Sequence, residues 1–283
     1  MIEMHQVQFS YTKQPFIRNI EFTVAEGEIF GFLGPSGAGK STLQKILTGL
    51  LTTYEGSAVV AGVECRKHTG EFYERIGVDF EFPSVYDKLT ARENLKYFSS
   101  LYAGKKRNID DLLKQVGLEH HADKKIADYS KGMKSRLNFI KALVHNPDIL
   151  FLDEPTSGLD PNNAQIMKDM ILEEKAKGKT IILTTHNMLD ATQLCDRVAF
   201  IVNGEVKALD TPHHLIMSHG AAKVHYTYLD ENGREAEKES SLERISEDWL
   251  LADKLASNAI TSIHSSEPTL NDIFMEMTGY QLC

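Results

Sequence analysis
Three cysteines in 283 residues are too few and too scattered to staple a fold. Cys65, Cys195 and Cys283 share no metal-ligand spacing, and their odd number makes reduced thiols the expectation. No apolar run approaches the roughly 20 residues that a membrane-spanning helix needs. The opening stretch MIEMHQVQFSY has neither the basic start nor the apolar run of a signal peptide. Positive charge is not in surplus either. The formal net charge is −9, and residues 221–283 account for −7 of it, with 12 acidic and 5 basic side chains, leaving −2 for residues 1–220. An acidic tail is ill suited to gripping nucleic acid or anionic lipid, so no nucleic-acid partner is expected. Internal repeats, heptad arrays and low-complexity segments are absent too.

The chain does have the composition of an ordinary globular protein, 42% hydrophobic and 25% charged, and it is long enough for one large core plus a smaller domain. Residues 1–33 read as three strands broken by turns. Strand and helix patterns then alternate. In STLQKILTGL, Leu43, Ile46, Leu47 and Leu50 recur at helical spacing. DILFLDEP and KTIILTTH carry the short unbroken apolar runs of strands buried on both faces of a parallel sheet, with a helical pattern over 163–177 between them. This is α/β alternation. Residues 87–145 look mainly helical, an insertion between strands. From about residue 221 a small α+β domain is expected, with a strand at VHYTYL and capping boxes at Ser240-x-x-Glu243 and Thr269-x-x-Asp272. The expected domains are therefore 1–220 and 221–283.

Residues 34–41 read GPSGAGKS, between an apolar strand and an amphipathic helix. Gly34, Pro35, Ser36, Gly37, Ala38 and Gly39 would turn backbone N–H groups onto phosphate oxygens at a helix N-terminus. Lys40 would reach the β- and γ-phosphates, Ser41 would offer its hydroxyl to Mg²⁺, and Thr42 follows in the same loop. In ILFLDEP, Asp153 and Glu154 end a buried strand, where charge is costly unless it binds something. Asp153 suits Mg²⁺; Glu154 suits the attacking water, a contribution of about 10²–10⁴ in rate. His186 ends the ILTTH strand. A histidine there is often structural, but parallel strand ends line a shared crevice, which favours a catalytic role.

YSKGMKSRLNFIKALVHNP reads as a helix capped by Ser130, with Met133, Leu137, Ile140 and Val144 on one face. Lys131 and Lys134 sit in its first turn, where the macrodipole disfavours cations, and Gly132 keeps the backbone open. Such a start suits an anion. The alternating stretch RIGVDFEF puts Asp79 and Glu81 on one strand face and Ile76, Val78, Phe80 and Phe82 on the other. A solvated face is the plain reading for Asp79.

Taken together, these motifs resemble the nucleotide-binding subunit of an ABC transporter over residues 1 to about 215. GPSGAGKS resembles the Walker A loop and ILFLDE the Walker B strand. Ser130, Lys131, Gly132 and Met133 stand where the family has its LSGGQ signature, and Ser157, Gly158, Leu159 and Asp160 where it has the D-loop. His186 matches the switch histidine, and Tyr11 the aromatic that stacks on adenine. The resemblance implies a P-loop cassette: a mostly parallel core sheet, an N-terminal antiparallel β subdomain and a helical subdomain at about 87–145. It also implies an ATP- and Mg²⁺-dependent hydrolase that pairs head to tail with a second ATP-binding subunit, identical or different. In such a pair each Walker A loop faces the other subunit's signature. Separate integral membrane subunits would carry the substrate, with this chain peripheral on the cytoplasmic face. The altered signature and the tail PTLNDIFMEMTG resemble the branch with ABC-2-type membrane subunits, mostly exporters. Glu81 stands where the family has a glutamine that contacts Mg²⁺ and the reaction water. The alternative is a soluble ABC ATPase with a regulatory, immunity, ribosome- or DNA-associated role.

Overall fold
A computed structural model describes residues 2–81, 84–219, 223–231, 233–266 and 268–280. Phe82 and Cys283 lie outside them. The chain forms two compact units, residues 1–211 and 212–283.

In the first unit, β1 (Ile2–Phe9) pairs antiparallel with β2 (Ile17–Val24). The next strand, β3 (Ile29–Leu33), is buried along its whole length and runs into a glycine-rich loop and α1 (Lys40–Leu47). β4 (Glu55–Val60) joins β1, and β5 (Val63–Glu64) completes this antiparallel sheet in the order β2-β1-β4-β5. After α2 (Gly70–Arg75) comes β6 (Ile76–Asp79), and then the helical insertion: α3 (Ala91–Ser100), α4 (Ile109–Gln115) and α5 (Lys131–Lys141). The chain returns through β7 (Ile149–Asp153), α6 (Pro161–Ala176), β8 (Thr180–Thr185), α7 (Met188–Leu194), β9 (Arg197–Val202) and β10 (Glu205–Asp210).

These strands build a six-stranded sheet in the order β10-β9-β3-β8-β7-β6. All neighbours are parallel except the edge pair β9–β10. Helical crossovers explain why: parallel neighbours cannot be joined by a tight turn. The main core lies between the two sheets, where α1 contributes Leu43, Ile46 and Leu47, and Phe22 stacks on Phe30 at 5.1 Å. Helix α1 is shorter than its apolar spacing suggests. Gly49 (φ 74°) follows the C-cap Thr48, and Leu50 is left exposed beyond it.

In the second unit, α8 (Pro212–His219) precedes the antiparallel sheet β12-β11-β13, formed by β11 (Lys223–Leu229), β12 (Glu235–Ser241) and β13 (Ile260–Ser266). Helices α9 (Trp249–Ala256) and α10 (Leu270–Thr278) complete it. The capping box at Thr269 is present in full. The one expected at Ser240 is not: Ser240 pairs with Val224 inside β12, and a short 3₁₀ segment follows. Strand pairing has claimed the residue first. Among the described residues the cysteines are free, and burial pushes the Cys65 thiol up to about 12 and the Cys195 thiol upward as well, so both are chemically quiet.

Candidate active site
Parallel neighbours in a sheet end on the same edge. Here four adjacent strands, β3, β8, β7 and β6, deliver in turn the glycine-rich loop, His186, Asp153 with Glu154, and Glu81. A cavity of about 290 Å³ collects them: Phe16, residues 36–42, Glu81, Asp153, Glu154 and His186 all line it.

The loop is shaped for close approach. Gly39, at the N-cap of α1, has φ 115°, and a Cβ there would meet Ile17 Cδ1 at 2.7 Å. Lys40 Nζ donates to Gly34 O at 2.5 Å and to Pro35 O at 3.1 Å. Burial lowers its pKa, opposed by the carboxylates of Glu154, Asp153 and Glu81, so the cation is held at a place built to bear charge. Ser41 Oγ donates to Asp153 Oδ2 at 3.3 Å, and the Thr184 hydroxyl donates to Asp153 Oδ1.

Glu154 sits just past β7 with φ 52°, a left-handed conformation that is strained for a glutamate and is fixed in part by its N–H donating to Thr184 O at 2.9 Å. Its carboxylate lies 2.8 Å from His186 Nδ1 and accepts from Thr185 Oγ1 at 3.3 Å. The carboxylate is therefore oriented from two sides while facing the cavity.

Tyr11 is exposed beside this cavity. Its hydroxyl lies 3.1 Å from Thr42 Oγ1, and its ring meets Phe9 edge-on with centroids 4.7 Å apart. It lines a neighbouring hollow of about 450 Å³ with Phe16 and Gly37.

The Ser130 segment stands outside the cavity. Ser130 Oγ accepts from Met133 N at 3.2 Å and caps α5. Lys134, expected to await an anion, already pairs with Asp87 at 2.8 Å, so only Lys131 of the two remains exposed. The Lys131 side chain lies over Gly158, where any Cβ would collide with it. In the segment from Ser157 to Asp160, Ser157 N donates to Glu154 O at 3.0 Å, and Asp160 caps α6 by accepting from Asn163 N at 3.1 Å.

Asp79 departs from the sequence reading. It is 5% exposed, and burial raises its pKa to about 7 against the opposing influence of Lys141 and Asn138. Phe80, on the supposedly covered face, is exposed. Helix α5 covers the face that Asp79 occupies. Phe16, Thr184 and Thr185 are site residues that the sequence did not single out; threonines at a strand end look like ordinary strand formers.

The model of the ABC transporter family matches residues 17–157. A fluoroquinolones export ATP-binding protein of Mycobacterium tuberculosis is 47% identical over the whole chain and 94% of that relative. The chain belongs to the ABC transporter family. A Nod factor export ATP-binding protein of Rhizobium meliloti is 35% identical across 99% of the chain and 89% of its own length. Among solved structures, a dimeric ATP-binding cassette in a post-hydrolysis state with ADP and Pi superposes with a TM-score of 0.67 at 25% identity, covering 75% of this chain and 98% of that one. As an ABC ATP-binding subunit, the chain binds and hydrolyses ATP.

Proposed function
We propose that this chain powers an exporter: two cassettes close head to tail on two ATP molecules and drive separate integral membrane subunits from the cytoplasmic face. The convergence of the glycine-rich loop, Asp153, Glu154 and His186 on one cavity, with the Ser130 helix outside it, is the observation that carries this reading. A site lacking its own signature needs another subunit's. Export is supported by the relatives' names, and separate membrane subunits by the membership of the ABC transporter family; no described helix is long and apolar enough to cross a membrane.

The chemistry follows from the residues. Backbone N–H groups of residues 36–41 and the Lys40 ammonium bind the phosphates. Ser41 Oγ, Asp153 Oδ2 and Glu81 form an all-oxygen donor set, which suits Mg²⁺. Bound there, Mg²⁺ would neutralise phosphate charge. Glu154 takes a proton from the attacking water, and His186 holds the carboxylate in place through Nδ1. Tyr11 offers its exposed ring to adenine. Ser130, Lys131, Gly132 and Met133 close on the partner's γ-phosphate, with Ser157, Gly158, Leu159 and Asp160 at the seam.

Two variants test this. Lys40→Ala should lose ATP binding or lower turnover by at least about 100-fold; normal hydrolysis would remove the site assignment. Glu154→Gln should bind ATP, lose about 10²–10⁴ in rate and accumulate as a dimer on gel filtration. A monomeric variant with normal turnover refutes the base.

A further inference from the structure
Glu81 lies in the short span between Asp79, the last residue of β6, and Ser84. One buried side chain from another element reaches both ends of that span. Asn138, on α5, donates through Nδ2 to Asp79 Oδ1 and to Phe80 O (3.1 Å), while its Oδ1 accepts from Ser84 N at 3.2 Å. Lys141, a turn further on, donates to Ser84 Oγ at 2.6 Å and Ser84 O at 3.2 Å. A second buried asparagine, Asn94 on α3, grips Tyr86: Oδ1 accepts from Tyr86 N at 2.8 Å and Nδ2 donates to Tyr86 O at 3.1 Å. The Glu81 side chain itself stays exposed at the cavity.

Such a network is an expensive way to fill space. Burying an amide, a carboxylate and an ammonium costs free energy that an apolar cluster would not, and is offset only when every group is paired. What a satisfied polar network adds is a single geometry. The geometry it specifies here is that of Asp79 and Phe80 before Glu81 and of Ser84 beyond it.

We propose that Asn138 is a positioning residue for ATP hydrolysis, holding Asp79, Phe80 and Ser84 so that the Glu81 carboxylate is presented beside Ser41 and Asp153. The inference rests on the proposed role of Glu81 in the ATP site. It does not require Asn138 to touch nucleotide.

The test uses the purified full-length chain, with turnover measured across ATP and Mg²⁺ concentrations and ATP affinity measured by calorimetry with and without Mg²⁺. Asn138→Ala should lower kcat about 10–100-fold, the cost of a misplaced group. It should also shrink the Mg²⁺-dependent gain in ATP affinity as Glu81→Ala does. Because Asn138 acts through Glu81, the double variant should be no worse than the poorer single one. Asp79→Asn, which retains an acceptor for Asn138, should stay within about threefold of wild type. Losses that multiply in the double variant, or an unchanged Mg²⁺ response in Asn138→Ala, overturn the proposal. If Asn138→Ala fails to fold, Asp79→Leu breaks the staple from its other end and is subject to the same two criteria. Failure of the wild type to bind ATP would instead remove the underlying site reading.

Discussion
We propose that Glu81, which stands where the family resemblance places a glutamine, tunes the metal dependence of the site. A carboxylate keeps an oxygen for Mg²⁺ but lacks the amide donor of glutamine, and it adds a negative charge near the phosphates. Glu81→Gln should therefore raise basal turnover and relax the Mg²⁺ dependence; hydrolysis rates that match wild type at every Mg²⁺ concentration would rule this out. Asp153, Glu154 and His186 were legible because polar and charged groups at the ends of buried strands have few uses, and Lys40 because a glycine-rich loop leads into its helix. Asp79 was not. Alternation along a strand separates two faces but does not say which one a distant helix will cover, and α5 comes from much later in the chain. The Lys134 pairing with Asp87 was hidden for the same reason.

Single elements carry their own liabilities. Helix α9 starts at Asp248, whose carboxylate accepts from Leu250 N at 3.1 Å and Leu251 N at 3.2 Å, and from Lys238 Nζ at 3.0 Å and Tyr226 Oη at 2.9 Å. Burial alone would raise its pKa, but the bonds from Lys238, Leu251 and Tyr226 outweigh it and hold the carboxyl well below the usual carboxylate range. A depressed folded-state pKa contributes stability that is complete above the unfolded value, near 3.9, and is lost as pH falls toward the folded one. The unit of residues 212–283 should thus lose melting temperature on acidification below about pH 4. Asp248→Ala should cost it roughly 1–3 kcal/mol at neutral pH and flatten that acid dependence. Thermal and urea unfolding followed by Trp249 fluorescence read the two in turn, since this single tryptophan is the first residue of α9. The Thr269 cap was legible because box and helix coincide; the Ser240 motif misled because a paired strand overrode it.

At the scale of the molecule, every residue lining the cavity that we assign to ATP belongs to residues 1–211. Removing residues 212–283 should leave ATP affinity within about twofold by calorimetry, the change expected when no contact residue is lost; a tenfold loss would tie the second unit to the site. The α/β alternation was readable along the whole first unit, whereas the order of its strands was not, because pairing partners such as Leu33 and Thr185 are set by packing rather than by local pattern.

That pairing order also governs how the site comes into being. The strand ends that meet at the cavity are distant in the chain, so they join only when long loops close, the slow kind of folding step. A chain extended only as far as α5 holds the glycine-rich loop and Glu81 without Asp153, Glu154 and His186. Nucleotide bound as proposed across Lys40, Asp153 and His186 would favour the finished sheet, by about 2.7 kcal/mol at hundredfold saturation. On that reading the fuel that this subunit consumes should also protect it from unfolding and from proteases.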